Sequence, residues 1–315
     1  MKKTKLLLAL PLIALSLAGC QSKKKVTIGI CQLVQHQALD AATQGFMDAV
    51  KEGMGEENVI FDLQNASGES ALCTTIANSF VSKGVDLIMA NATPALQAAY
   101  NTTTTIPILG TSITEYGTAL SLTDFNGTVG GNVSGTSDLA PLDEQAQMIV
   151  DIFPTAQKVG LLYCEAEANS RYQVQVVTSE LQSKGLQTKA IPFSDSNDLN
   201  AKLTGGIVGI DVLYIPTDNT CASCANTIHQ ICSNANLPVV CGEEGICAGC
   251  GVVTLSISYY NLGLKTGQMA VEILKDGKDI SKMPIAYDEH PVKKYNPEIC
   301  DELHITPPAG YEPIQ

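Results

Sequence analysis

The chain has 315 residues, a formal net charge of −13 and 45% hydrophobic residues, with 11 Cys and no Trp. That length accommodates two ordinary domains or one large one. An acidic surface without basic clusters repels phosphates, which argues against a nucleic-acid partner.

In chain order, Lys2, Lys3 and Lys5 come first, followed by the apolar run LLLALPLIALSLA. The run is short for a membrane span but suits the core of a secretory signal. It ends in Leu17-Ala18-Gly19-Cys20, which resembles the lipobox of bacterial lipoproteins. The resemblance implies a signal peptide over 1–19, a lipid on the Cys20 sulfur, a tether over 20–25 and a place on the extracytoplasmic face of the cell membrane. No second apolar run approaches a span, so the lipid alone is expected to hold the protein there. Disulfides are permitted in that compartment.

From Val26 onward, short apolar runs alternate with segments of helical period: VTIGI and ALDAATQGFMDAVKEG, NVIFDL and SALCTTIANSFVSKG, VDLIMA and a Pro94-led helix, then IPILG. The rhythm restarts with KVGLLY, RYQVQVVTSELQSKG, LQTKAIPF, a short helix near DLNAKLTGG, IDVLYI, a helix holding Cys221 and Cys224, and LPVVC. Such alternation predicts parallel sheets covered by helices. The halves align at an offset of about 130 residues, which points to duplication. The predicted fold class is therefore α/β: two doubly wound parallel-sheet lobes joined by hinge crossovers. GGNVSGTSDLAP reads as the first crossover and VVTLSIS as the second, with the helix YYNLGLKTGQMAVEILKDG completing the first lobe. Lobe 1 is expected over 26–136 plus 254–284, and lobe 2 over 137–253 plus 285–315.

Open parallel sheets bind ligands beyond the carboxyl ends of their strands, so the cleft between two lobes is the expected site, and hinges let it close. The strand ends supply Gln35 and His36, Asn91, Ala92 and Thr93, and Thr111 and Ser112 from the first lobe. The second supplies Glu167, Asn169, Ser170, Asp218, Asn219, Glu243 and Glu244. Ser137 in the crossover joins the candidates. Thr93 before Pro94 reads as a helix cap whose free amides suit a carboxylate. Asp218 starts a helix and either caps it or meets a ligand. Acidic groups facing a neutral anion-binding turn describe a receptor for a zwitterion, most simply an α-amino acid. No catalytic triad, phosphate loop or dinucleotide fingerprint is present.

ALDAATQGFMDAV, DLIMANATPALQAA, GGNVSGTSDLAPLDEQ, KVGLLYCEAEANS, IPTDNT and GEEG resemble recurring stretches of the substrate-binding lipoproteins of ABC transporters, in the group that binds tryptophan and tyrosine. The resemblance covers nearly the whole chain after Cys20. It implies the type I periplasmic-binding-protein fold and a monomer that carries out no chemistry and needs no cofactor. It also implies capture of an aromatic amino acid for a membrane permease and its ATPase. By position it implies Thr93 for the carboxylate, Asn169 and Ser170 as a wall, and Asp218, Asn219 and Glu243 for the amino end. Tyr116 and Tyr172 are candidates to stack on a ring, with buried packing as their alternative.

The departure from that family lies in the cysteines. Cys221/Cys224 and Cys247/Cys250 form two Cys-x-x-Cys pairs separated by residues 225–246, a spacing that resembles a zinc ribbon. A metal or thiol-redox lipoprotein is therefore the rival function, and a ligand-sensing lobe for a membrane signalling partner the third. Against zinc, Cys221, Cys224, Ile228 and Cys232 share one stripe of a predicted helix, where cysteine serves as a small hydrophobe. Cys31, Cys73, Cys164 and Cys241 are read the same way. Cys247 and Cys250, in a glycine-rich stretch read as a loop, are left as the pair suited to a disulfide or a metal.

Overall fold

The computed structural model describes residues 25–288 and 290–314, so the expected signal peptide and Cys20 lie outside the described residues. The first lobe runs β1 (Val26–Gln32), α1 (Gln37–Met54), β2 (Val59–Asn65), α2 (Ser70–Lys83), β3 (Leu87–Asn91), α3 (Thr93–Thr102), β4 (Ile108–Ile113), α4 (Tyr116–Leu120) and β5 (Val133–Ser137). The chain crosses at 138–141 into α5 (Leu142–Ile152), β6 (Lys158–Cys164), α6 (Ala168–Ser183), β7 (Gln187–Phe193), α7 (Ser196–Gly206), β8 (Val212–Ile215), α8 (Asn219–Ser223), α9 (Ala225–Asn234), β9 (Val239–Cys241), α10 (Glu244–Cys250) and β10 (Val253–Ser256). It returns through 257–258 to α11 (Tyr259–Leu274) and β11 (Ala286–Tyr287), then recrosses to β12 (Val292–Tyr295), α12 (Pro297–Glu302) and β13 (Glu312–Pro313).

The six-stranded sheet has the order β11-β5-β4-β3-β1-β2 and the seven-stranded sheet β13-β12-β10-β9-β8-β6-β7. All pairs are parallel except β10 with β12. Both sheets are doubly wound: Ile28 and Ile30 of β1 join Phe46 and Met269 on one face, while Cys31 joins Phe80 and Leu96 on the other. This is the period-2 alternation of a strand buried on both sides.

The crossings fall later than the sequence reading placed them. β10 over 253–256 pairs with β9 and β12 in the second sheet, and β11 pairs with β5 in the first. Val253 and Leu255 pack into the second lobe's core. An apolar run does not reveal which of two sheets it joins.

α11 lies against α1 at glycine-width separation. A Cβ on Gly263 would sit 2.0 Å from the Ala42 carbonyl oxygen, and one on Gly45 2.2 Å from that of Tyr260. Gly263→Ala is expected to cost at least about 1–3 kcal/mol through overpacking, measured as a lowered urea midpoint. An unchanged midpoint would show that the helices separate freely.

Candidate ligand-binding site

The ends of β1, β4 and β5 in the first lobe and of β6, β8 and β9 in the second meet at a common interlobe cleft. Its innermost cavity is bounded by His36 and Leu39 at the start of α1, Ser112 and Thr114 at the end of β4, Asp138 on the first crossover and Tyr259 opening α11 just after the second. From the second lobe come Asn169, Thr217, Asp218, Asn219, Ala222 and Glu243. The lobes are closed on it: about 10 Å³ remains, near the space one water needs. His36 Nε2 lies 3.2 Å from Asn219 Oδ1 across the gap.

Of the sequence candidates, the cavity brings together His36, Ser112, Asn169, Asp218, Asn219 and Glu243. Gln35 is exposed and borders outer recesses instead. Ala92 and Thr93 are buried outside its lining, and Thr111 faces the Thr136 hydroxyl at 3.2 Å. Ser137 donates to the Thr114 carbonyl at 2.8 Å, and Ser170 is buried behind Asn169. The cap of α3 is Ala92, at φ 88°, so Thr93 is already inside the helix, contrary to the expected capping role.

Tyr116 is buried, stacks on Phe125 at 6.4 Å and donates to the Thr136 carbonyl, and Tyr172 packs against the second lobe's core. Neither ring lines the cavity.

The acidic residues divide by what their oxygens do. Asp218 caps α8 by accepting from Cys221 N at 2.8 Å and takes Cys164 N at 2.7 Å. Glu243 caps α10, accepting from Gly245 N at 2.6 Å and from Ile246 N. Glu167 accepts from Asn219 N and Nδ2, Thr220 N and Oγ1, and Asn169 Nδ2. Both oxygens of each are thus engaged within the second lobe.

Asp138 differs: Oδ2 accepts from Tyr259 Oη at 2.9 Å, while Oδ1 is buried without a hydrogen-bond partner. Burial pushes its pKa up to about 6, against the pull of the Tyr259 and Thr114 hydroxyls. Burial, and for Asp218 also the nearby Glu167, pushes Glu243 and Asp218 up to about 7 each. Sequence reasoning missed Asp138 and Tyr259 as site residues, and it named Glu167 only as a strand-end residue without a role. Asp138 was findable as the one carboxylate in the crossover run GGNVSGTSDLAP.

Buried side-chain polar atoms without partners concentrate here: His36 Nδ1, Ser112 Oγ, Asp138 Oδ1 and Asn169 Oδ1 all belong to cavity residues. Their chemistry is fixed by their neighbours. Asn169 Nδ2 points at Glu167 and the Thr217 carbonyl, both acceptors, so its Oδ1 is the free acceptor. Three of the four are thus acceptors, and Ser112 can donate or accept. No Lys or Arg is among the described residues of the lining. The cavity therefore suits a compact cation rich in N–H donors.

The cysteines lie elsewhere. Cys247 and Cys250 are not on a loop but inside α10, buried beside Cys241. The predicted single helix over Cys221 and Cys224 breaks at Cys224, leaving Cys221, Ile228 and Cys232 buried and Cys224 half-buried. The ten described cysteines are free thiols, and among the described residues no cluster has the arrangement of a metal site. Burial, with Asp218, raises the pKa of Cys221 and Cys224, which opposes thiolate chemistry. Titration of the native protein with a thiol reagent is expected to modify Cys224 promptly, besides any free Cys20, and the rest only on unfolding. Prompt modification of Cys247 or Cys250 would contradict this packing.

The family model described as "ABC transporter substrate binding protein" matches residues 27–309. A tyrosine-binding protein of Clostridioides difficile (strain R20291) is 36% identical over 269 residues, 84% of this chain and 76% of the relative. The solved ABC domain of Streptococcus pneumonia in complex with L-Trp superposes with a TM-score of 0.87 at 28% identity, covering 92% of this chain and 100% of that one. The ligand-free, open structure of a substrate-binding protein with adhesive properties from Clostridium difficile gives 0.70 at 34% identity, covering 92% and 99%. The lower score against the open structure, despite higher identity, agrees with closed lobes here.

Proposed function

Because this chain belongs to the family of ABC transporter substrate-binding proteins, we propose that it captures an α-amino acid with an aromatic side chain between its lobes and delivers it for import to a membrane permease driven by an ATPase. The family and its type I periplasmic-binding-protein fold are those of non-enzymatic, extracytoplasmic solute binders. The observation that carries the reading is the group of unpartnered acceptors around one cavity, with the open oxygen of Asp138 among them. An ammonium supplies three donors and a positive charge to Asp138 Oδ1 and Asn169 Oδ1, and leaves His36 Nδ1 for another donor of the ligand.

In this reading Asp138 and Asn169 hold the amino group, and Ser112, with the α3 end beyond it, meets the carboxylate. Asp218, Glu243 and Glu167 hold the second lobe's wall in shape. Aromatic preference is supported by the L-Trp complex and the tyrosine-binding relative. A thermal-shift screen of the standard amino acids tests the proposal: aromatic L-amino acids should raise the melting temperature, and no shift with any amino acid would overturn it.

The lipid anchor on Cys20 belongs to the same proposal. Cys20→Ser should move the protein from the membrane fraction to the soluble one, and retention at the membrane would remove the anchor from the reading.

A further inference from the structure

We propose that His36 selects ligands whose ring carries a hydrogen-bond donor, a phenol O–H or an indole N–H, over aromatic or aliphatic side chains without one. The inference rests on the reading of the cleft as an amino-acid site.

The tautomer of His36 follows from its neighbours. Asn219 Nδ2 donates to Glu167 Oε2 at 2.6 Å, and a carboxylate can only accept there, so the Asn219 amide cannot be turned over. Its Oδ1 therefore faces His36 Nε2 at 3.2 Å, and an amide oxygen accepts, so Nε2 carries the hydrogen. Burial lowers the His36 pKa against the opposing pull of Asn219, Glu167 and Asp40, which favours the neutral ring. Nδ1 is then a bare lone pair, and it is buried without a partner. A buried acceptor left in this state costs free energy that a ligand donor recovers.

Position assigns this acceptor to the side-chain end of the ligand. Asp138 stands on the first crossover and Tyr259 opens α11 directly after the second, at the hinge side of the cavity. His36 and Ala222 border both the cavity and an outer recess of about 420 Å³ shared with Gln35 and Asn226. With its ammonium on Asp138, an amino acid directs its side chain away from the hinge, toward His36. Leu39 and Ala222 supply apolar contact there.

Calorimetric titration of the whole protein with L-Tyr, L-Trp, L-Phe and L-Leu tests this without any variant. Tyr, Trp or both should bind about tenfold to a hundredfold more tightly than Phe and Leu. A preference for Tyr assigns the phenol, and one for Trp the indole. His36→Leu should bring the affinity ratio of the preferred ligand over Phe down to about one, and His36→Gln, which keeps an acceptor, should restore part of that ratio. Equal binding of Phe by the wild type, or a preference that survives His36→Leu, overturns the assignment. If none of these amino acids binds, the amino-acid reading itself falls and takes this inference with it.

Discussion

Asp138→Asn is expected to weaken amino-acid binding by about 2–5 kcal/mol, roughly 30-fold or more in Kd, because it removes one partner of a buried charge pair. The substitution keeps the shape and an acceptor for the Tyr259 hydroxyl, so the fold should survive it. The pH dependence distinguishes a charge role from a packing role. Burial holds Asp138 near 6, above its ordinary range, and a bound ammonium favours the ionised form. Wild-type affinity should be full above that pH and fall about tenfold per unit below it, while the Asn variant shows no break there. The other titratable groups that bear on Asp138 are Tyr116, Tyr259 and Glu243.

Stability of the ligand-free protein should run the other way. Asp138 at about 6, and Asp218 and Glu243 at about 7, bind protons more tightly folded than unfolded. Their contribution to stability is therefore complete below the ordinary carboxylate range near 4 and is lost as pH rises through 6 to 7. Melting temperature without ligand should decline between pH 5 and pH 8, and saturating ligand should offset the decline. Parallel pH profiles for wild type and Asp138→Asn, by calorimetry and thermal melts, check both directions. An unchanged Kd in the variant would remove Asp138 from the site.

Glu167→Gln is the second large effect. The carboxylate accepts five hydrogen bonds, from 2.6 to 3.2 Å, that hold the start of α8 against the start of α6. Replacing one oxygen by an amide NH₂ turns an acceptor toward donors that have no alternative partner. The expected cost is about 2–4 kcal/mol in the second lobe. Affinity should fall as well, although Glu167 does not line the cavity, because Asn169 and Asn219 lose the contact that orients them and His36 loses its fixed partner. Urea denaturation and ligand titration on the same protein should show both losses. Full stability would mean that the network yields without penalty.

Much of this was legible before any coordinates. The βαβ rhythm, the internal duplication and the position of the cleft follow from apolar period and strand order, and these are properties of neighbours along the chain. His36, Ser112, Asn169, Asp218, Asn219 and Glu243 could be named because strand ends in such sheets converge. The buried stripe of cysteines was readable for the same reason, apart from Cys247 and Cys250, where glycines disguised a short helix.

The sequence by itself determined two doubly wound lobes and the acidic strand ends of the second, but it set the crossings a few residues early. Only the tertiary structure decided which carboxylate is open to a ligand. Glu243 turns back onto its own helix through contacts two or three residues away and Asp218 is closed by its own helix together with Cys164, 54 residues back, whereas Asp138 depends on Tyr259, 121 residues further along the chain. Hydrogen-bond saturation depends on every neighbour in space, and periodicity carries no information about partners that distant.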